Sequence, residues 1–103
     1  MVYMLATIAV APGKMDEFLE VLAQYVPLAG KYGQKLLGSW RSIVGVAEEV
    51  TDLWCFESLA QFEKARKEMF SDPELAALYK KARSLQVNET LKLLSPVPLS
   101  PMQ

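Results

Sequence analysis

The chain has 103 residues, 51% of them hydrophobic, with 11 Lys and Arg against 12 Asp and Glu for a formal net charge of −1. It is too apolar for disorder and too short for more than one domain, which is expected to span residues 1–103. No basic stripe exists to displace counterions from a phosphate backbone, which argues against nucleic acid as a partner.

Histidine is absent. Its absence removes the usual general base, the commonest metal ligand and the proximal ligand of most haems. A zinc site or a Ser-His-Asp triad is not available, and neither a metal nor another cofactor is expected. The single cysteine, Cys55, allows no intrachain disulfide and fits a reducing compartment, read as the cytoplasm. Residues 1–11 are apolar but have no positive leading stretch, which argues against a signal peptide, and they are too short to span a membrane. Asn88-Glu89-Thr90 matches a glycosylation sequon, which means little without a secretory signal.

The first element is a strand over Val2–Val10, apolar on both faces and ended by Pro12-Gly13. Met15, Phe18, Leu19, Leu22, Tyr25 and Val26 then recur at helical spacing, with Asp16 and Glu17 in the first turn where the helix dipole favours them. That helix is expected from about Lys14 to Pro27 or Gly30. A second strand is read at 36–44, a turn at 45–48, and a third strand at 50–56. The third strand places Val50, Trp54 and Phe56 on one parity and Leu53 and Cys55 on the other, with Asp52 as its polar exception. Ser58 through Gln61 forms a capping-box pattern before the stripe Phe62, Ala65, Met69 and Phe70. Asp72-Pro73 restarts the helix, with Asp72 as its cap. A last strand is read at 87–94, and the proline-rich tail, about 95–103, is expected to be extended.

The order is β-α-β-β-α-β. Right-handed crossovers favour an antiparallel four-stranded sheet of strand order 4-1-3-2 with helices on one face, a ferredoxin-like α+β fold. The first and third strands are then central, and both are apolar on both faces. Helices cover one face only, so something must cover the other. A second copy in a two-fold contact is the simplest cover, which makes a homodimer the expected state. Each fully buried large apolar side chain gains about 1.5–3 kcal/mol.

Several side chains are candidates for a ligand site: Tyr3, Trp40, Arg41, Trp54 and Phe56. If the hairpin turn centres on Ala47, Trp40 lies opposite Trp54, Ser42 opposite Asp52 and Gly38 opposite Phe56. The two indoles then either pack as core or wall a pocket for a flat apolar ligand. Arg41 is either a fork donor to a ligand carboxylate or one half of an ion pair with Glu49, Glu89 or a partner-chain acid. Acid–base candidates are Asp52, Glu89, Tyr3 and Tyr79. Cys55, between Trp54 and Phe56, reads as a small buried hydrophobe. Lys64, Arg66 and Lys67 read as the solvated side of a helix, supported by pairs such as Glu63–Lys67.

Gly38-Ser39-Trp40-Arg41-Ser42, then Val44-Gly45, then Leu53-Trp54 within the third strand, resemble the Gly-x-Trp … Gly … Leu-Trp core of the NIPSNAP family. Tyr3-Met4-Leu5 with Pro12-Gly13-Lys14 is similar to that family's opening. Ser71-Asp72-Pro73 is similar to its interrupted second helix. Leu94-Ser95-Pro96 and Pro98-Leu99-Ser100-Pro101 are similar to its ending. The resemblance implies a dimeric α+β barrel, closed by a second copy, and little chemistry. Three functions stay open: a homodimer binding a small apolar or aromatic ligand, a cofactor-independent monooxygenase or isomerase on an aromatic polyketide-like substrate, and a structural dimerisation or protein-interaction module. Pocket size separates them, since a cleft below a few hundred Å³ argues against both ligand readings.

Overall fold

A computed structural model describes residues 1–103. It contains β1 (Val2–Val10), α1 (Met15–Lys31), β2 (Lys35–Arg41), β3 (Glu49–Phe56), α2 (Leu59–Phe70), α3 (Pro73–Ser84) and β4 (Gln86–Leu94). The sheet is antiparallel throughout, in the order β2-β3-β1-β4. The two most apolar strands are therefore central and the two polar ones are edges, as the burial argument requires. The three helices share one face of the sheet, the face that carries Met4, Ala6, Ile8, Val50 and Trp54. No helix is long and apolar enough to cross a membrane.

The element ends have local causes. The Ser58 hydroxyl accepts from the Gln61 amide at 3.1 Å and caps α2. The Gln61 side chain does not reach back to close a capping box. It donates instead to the Tyr32 carbonyl at 2.9 Å, tying α2 to the end of α1. That bridge lies tight against Gly33, whose φ of +91° already requires glycine. Asp72 Oδ1 accepts from the amides of Glu74 and Leu75 at 3.0 and 3.3 Å and starts α3. Its Oδ2 accepts from the Tyr32 hydroxyl at 2.6 Å. The helix α1 runs through Pro27, the earlier of the two expected ends, and stops at Lys31, one residue past the other, Gly30. Proline removes one helical hydrogen bond there, but Ala29, fully buried in the core, holds the last turn in place.

The hairpin joining β2 to β3 differs from the expected register. Trp40 pairs with Thr51, Ser39 with Asp52, Gly38 with Leu53 and Leu36 with Trp54. The Ser42 amide donates to the Glu49 carbonyl at 3.0 Å and closes a loop centred near Gly45, not Ala47. A bulge at Leu37 then switches the parity of everything before it. The two tryptophans end on opposite faces, so the stacked pair does not form.

The tail is extended only as far as Val97. It then turns, with the Ser100 amide donating to the Val97 carbonyl at 2.9 Å. The Tyr3 hydroxyl donates to the main-chain oxygen of Gln103 at 2.8 Å, which fastens the tail to the sheet face away from the helices. Tyr3 and Cys55, neighbours across β1 and β3, are buried on that face. Leu5 and Leu53 are half-buried there, and Trp40 is 57% exposed. Trp40 lies flat over Gly38, so closely that a Cβ at residue 38 would overlap its ring. The Gly-x-Trp spacing thus has a steric reason: with glycine at 38 the indole lies against the strand, and a Cβ there would push the ring away.

Candidate functional site

The core on the helix side is divided in two. One cluster gathers Ile8, Val10, Phe18, Val21 and Val50 around Ala6. The other gathers Met4, Trp54, Phe56, Met69 and Leu75. Between them lies a cavity of about 70 Å³. Two residues explain the gap. Ala6 is the small residue of β1 among Met4, Ile8 and Val10, so it leaves space above the sheet. Asp52, beside it on β3, puts a carboxyl where an apolar side chain would otherwise close the core.

Asp52 is 1% exposed. Its Oδ1 accepts from the Ser39 hydroxyl at 2.5 Å, and the structure gives Oδ2 no hydrogen-bond partner. Burial pushes its pKa up, the Ser39 bond opposes this, and the charge of Glu89 adds to the rise. Tyr25 and Trp54 meet edge to face across the cavity wall, 6.0 Å between ring centres. Burial pushes the Tyr25 phenol up to about 12, with Arg66 pulling the other way, so Tyr25 stays a neutral hydroxyl. Gln34, 4% exposed, lines the cavity with a side-chain amide that makes no hydrogen bond. Gln86 donates through Nε2 to the Ala82 carbonyl at 3.3 Å, while its buried Oε1 has no partner.

Two charged groups complete the lining. Glu89 on β4 is paired with Arg83 at 3.6 Å. Arg66 on α2 stacks over the rings of Phe62 and Phe70, at 5.5 and 5.3 Å, and has no carboxylate within 4 Å. No three His, Cys, Asp or Glu side chains converge as a metal site would require.

The five residues proposed from the sequence do not form one site. Trp54 lines the cavity. Phe56 is buried in the neighbouring core cluster and packs edge to face on Phe62 at 5.1 Å. Tyr3 and Trp40 lie on the far face of the sheet. Arg41 pairs with Val50 at the end of β2, is exposed, and makes no ion pair with Glu49 or Glu89. Of the acid–base candidates, Asp52, Glu89 and Tyr79 line the cavity and Tyr3 does not.

Arg66 and Gln34 were missed. Arg66 is not on the solvated side of α2; the exposed pair there is Lys64–Glu68, at 3.9 Å, rather than Glu63–Lys67. Its position was readable, because residues 62, 66, 69 and 70 share one helical stripe. Gln34 stands in a loop that carries no periodic signal.

Comparison with known proteins agrees with this fold. The chain superposes on a NIPSNAP domain protein from Burkholderia xenovorans with a TM-score of 0.86 at 20% identity, covering 98% of this chain and 99% of that one. A NIPSNAP family protein from Agrobacterium tumefaciens gives a TM-score of 0.90 at 19% identity, with 99% and 98% covered. SnoaB, a cofactor-independent oxygenase from Streptomyces nogalater, gives 0.77 at 14% identity, with 99% and 97% covered. At these identities the likeness is one of fold. No curated protein matches the chain. The sequence model of the NIPSNAP family matches residues 3–101. That span includes the Gly38–Trp40 pair, the β3 strand that supplies Asp52 and Trp54, and the Asp72-Pro73 helix break, and on it the chain belongs to the NIPSNAP family.

Proposed function

We propose that the protein is a homodimer whose sheet–helix cavity binds a small apolar ligand, about one ring in size. The observation that carries this reading is the cavity itself: an apolar space built around a fully buried carboxyl with one oxygen unpartnered. Buried polar atoms are nearly always hydrogen-bonded, so Gln86 Oε1, buried in the lining without a partner, calls for a bound polar atom, and Asp52 and Gln34 line the same space. The size is far below a few hundred Å³, which counts against both ligand readings for any molecule larger than a single ring. Typical ligand sites enclose about 300–1,000 Å³. At about 10–15 Å³ per water, 70 Å³ takes roughly five water-sized atoms. A single ring fits only with its polar end at the mouth, and a multi-ring polyketide does not fit.

The dimer rests on the far face of the sheet. Trp40 and Leu94 are exposed there beside the half-buried Leu5 and Leu53, and the tail is fastened over Tyr3 alone among them. A second copy offers the same apolar surface in return. Placement in the cytoplasm rests on the buried free thiol of Cys55.

A second reading is a cofactor-independent oxygenase or isomerase. The likeness in fold to SnoaB favours it, as does an acid–base group, Asp52, inside an apolar cavity. The cavity volume confines it to small substrates, and Tyr3 and Trp40 face away from any reaction there.

Filling the cavity tests the proposal. Ala6→Leu is expected to abolish the binding of phenol, followed by NMR titration, while changing stability by no more than about 1–3 kcal/mol. Unchanged phenol binding in that variant would remove the cavity as the site.

A further inference from the structure

Four hydrogen-bond donors meet at the α2 end of the cavity, and no protein atom uses them. Arg66, Gln34, Tyr25 and Tyr79 line both the main cavity and the smaller pocket that adjoins it. Arg66 makes no side-chain hydrogen bond or ion pair, and none is made by the Gln34 amide or by either phenol. Phe62 and Phe70 occupy the region over the guanidinium. Stacking of this kind holds an arginine by its faces and leaves its N–H edge available, the edge that takes a carboxylate through two parallel bonds. Gln34 is more than nine-tenths buried, and its side-chain amide makes no hydrogen bond within the chain.

The charges facing this corner point to an anion. Glu89 is offset by Arg83. Asp52 lies deeper, on the sheet floor, where burial favours its neutral form. Tyr25 and Tyr79 are the remaining titratable groups of the lining, and Tyr25 is held as the neutral phenol. Arg66 is left as the one unpaired charge.

We infer that the ligand is a small monocarboxylic acid, its carboxylate held by Arg66 and Gln34 and its hydrocarbon body lying over Ala6 against Trp54. The inference rests on the cavity being a ligand site, and it adds the chemical class of the ligand. A carboxylate at the mouth also resolves the size problem, since only the ring then has to enter.

The test is an NMR titration of the whole protein with benzoate and with benzamide, a neutral molecule of the same shape, at fixed ionic strength. Benzoate is expected to bind at least tenfold more tightly. Arg66→Gln should remove that preference, so that benzoate and benzamide bind alike. Arg66→Lys, which keeps the charge but not the fork, should retain part of it. Lys64→Gln, which removes an exposed cation two residues earlier on α2, should leave both affinities as they were. Equal binding of benzoate and benzamide to the wild type overturns this inference and leaves the cavity as a site for neutral ligands. A preference that survives Arg66→Gln in a folded variant also overturns it. Failure of both probes to bind overturns the cavity reading together with it.

Discussion

Asp52 and Asp72 are both carboxyls that accept from a neighbouring hydroxyl, yet folding moves them in opposite directions. Asp72 lies near the surface, where the Tyr32 hydroxyl and the first amides of α3 hold its pKa down. Its contribution to stability is present above the ordinary aspartate range and is lost as pH falls through the lowered folded value. Asp52 is dominated by burial, which raises its pKa. Its contribution is complete below the ordinary range, about pH 4, and is lost as pH rises through the raised folded value. The Asp52→Asn variant keeps an acceptor for Ser39 without a charge to bury. It should therefore melt above the wild type at pH 8, with the gap closing towards pH 4. A variant that melts below the wild type at pH 8 would mean that the carboxylate is compensated by something other than Ser39. Asp52 was visible in the sequence as the polar residue on the parity of Val50, Trp54 and Phe56. Its burial was not, because polarity alone suggests a solvated position and only the helix cover decides otherwise.

At the scale of elements, strand order was readable and register was not. Apolar content ranked the strands correctly into central and edge. The pairing of β2 depended on a bulge at Leu37 and a loop over 42–48, neither of which alters a hydrophobic period. Side-chain parity therefore failed for Trp40 while strand identity held. The helix α1 shows the converse. Proline is a sound local stop signal, but Ala29 and Leu28 beyond it pack into the core and carry the helix on to Lys31. Pro27 is itself exposed, so its ring adds no buried packing. Pro27→Ala should restore one helical hydrogen bond and raise stability by about 1–3 kcal/mol in denaturant unfolding, within the penalty of an interior proline. A loss of stability would show that the proline shapes α1 in a way its exposure does not reveal.

For the whole molecule, one chain covers one sheet face with helices and leaves the other incompletely covered. The tail shields the Tyr3 corner, a contact that its three prolines did not announce. Trp40 and Leu94 remain open beside Leu5 and Leu53. If a second copy lies there, Trp40→Ala should weaken the dimer at least about tenfold in analytical ultracentrifugation, as truncating a buried interface tryptophan costs about 2 kcal/mol or more. A dimer of unchanged affinity would move the interface off this face. On the proposed reading the two faces have separate tasks: the far face would join copies, and the helix face encloses the cavity. Of the aromatics placed in one candidate site by their character, Trp40 lies on the open far face, Tyr3 lies on that face under the tail, and Trp54 lines the cavity. The most direct test of this division is the set of intermolecular nuclear Overhauser contacts made by bound phenol. Contacts to the methyl groups of Ala6 and Ile8 are expected. Contacts to Tyr3 or Trp40 instead would contradict the division and place the ligand on the face assigned to the dimer.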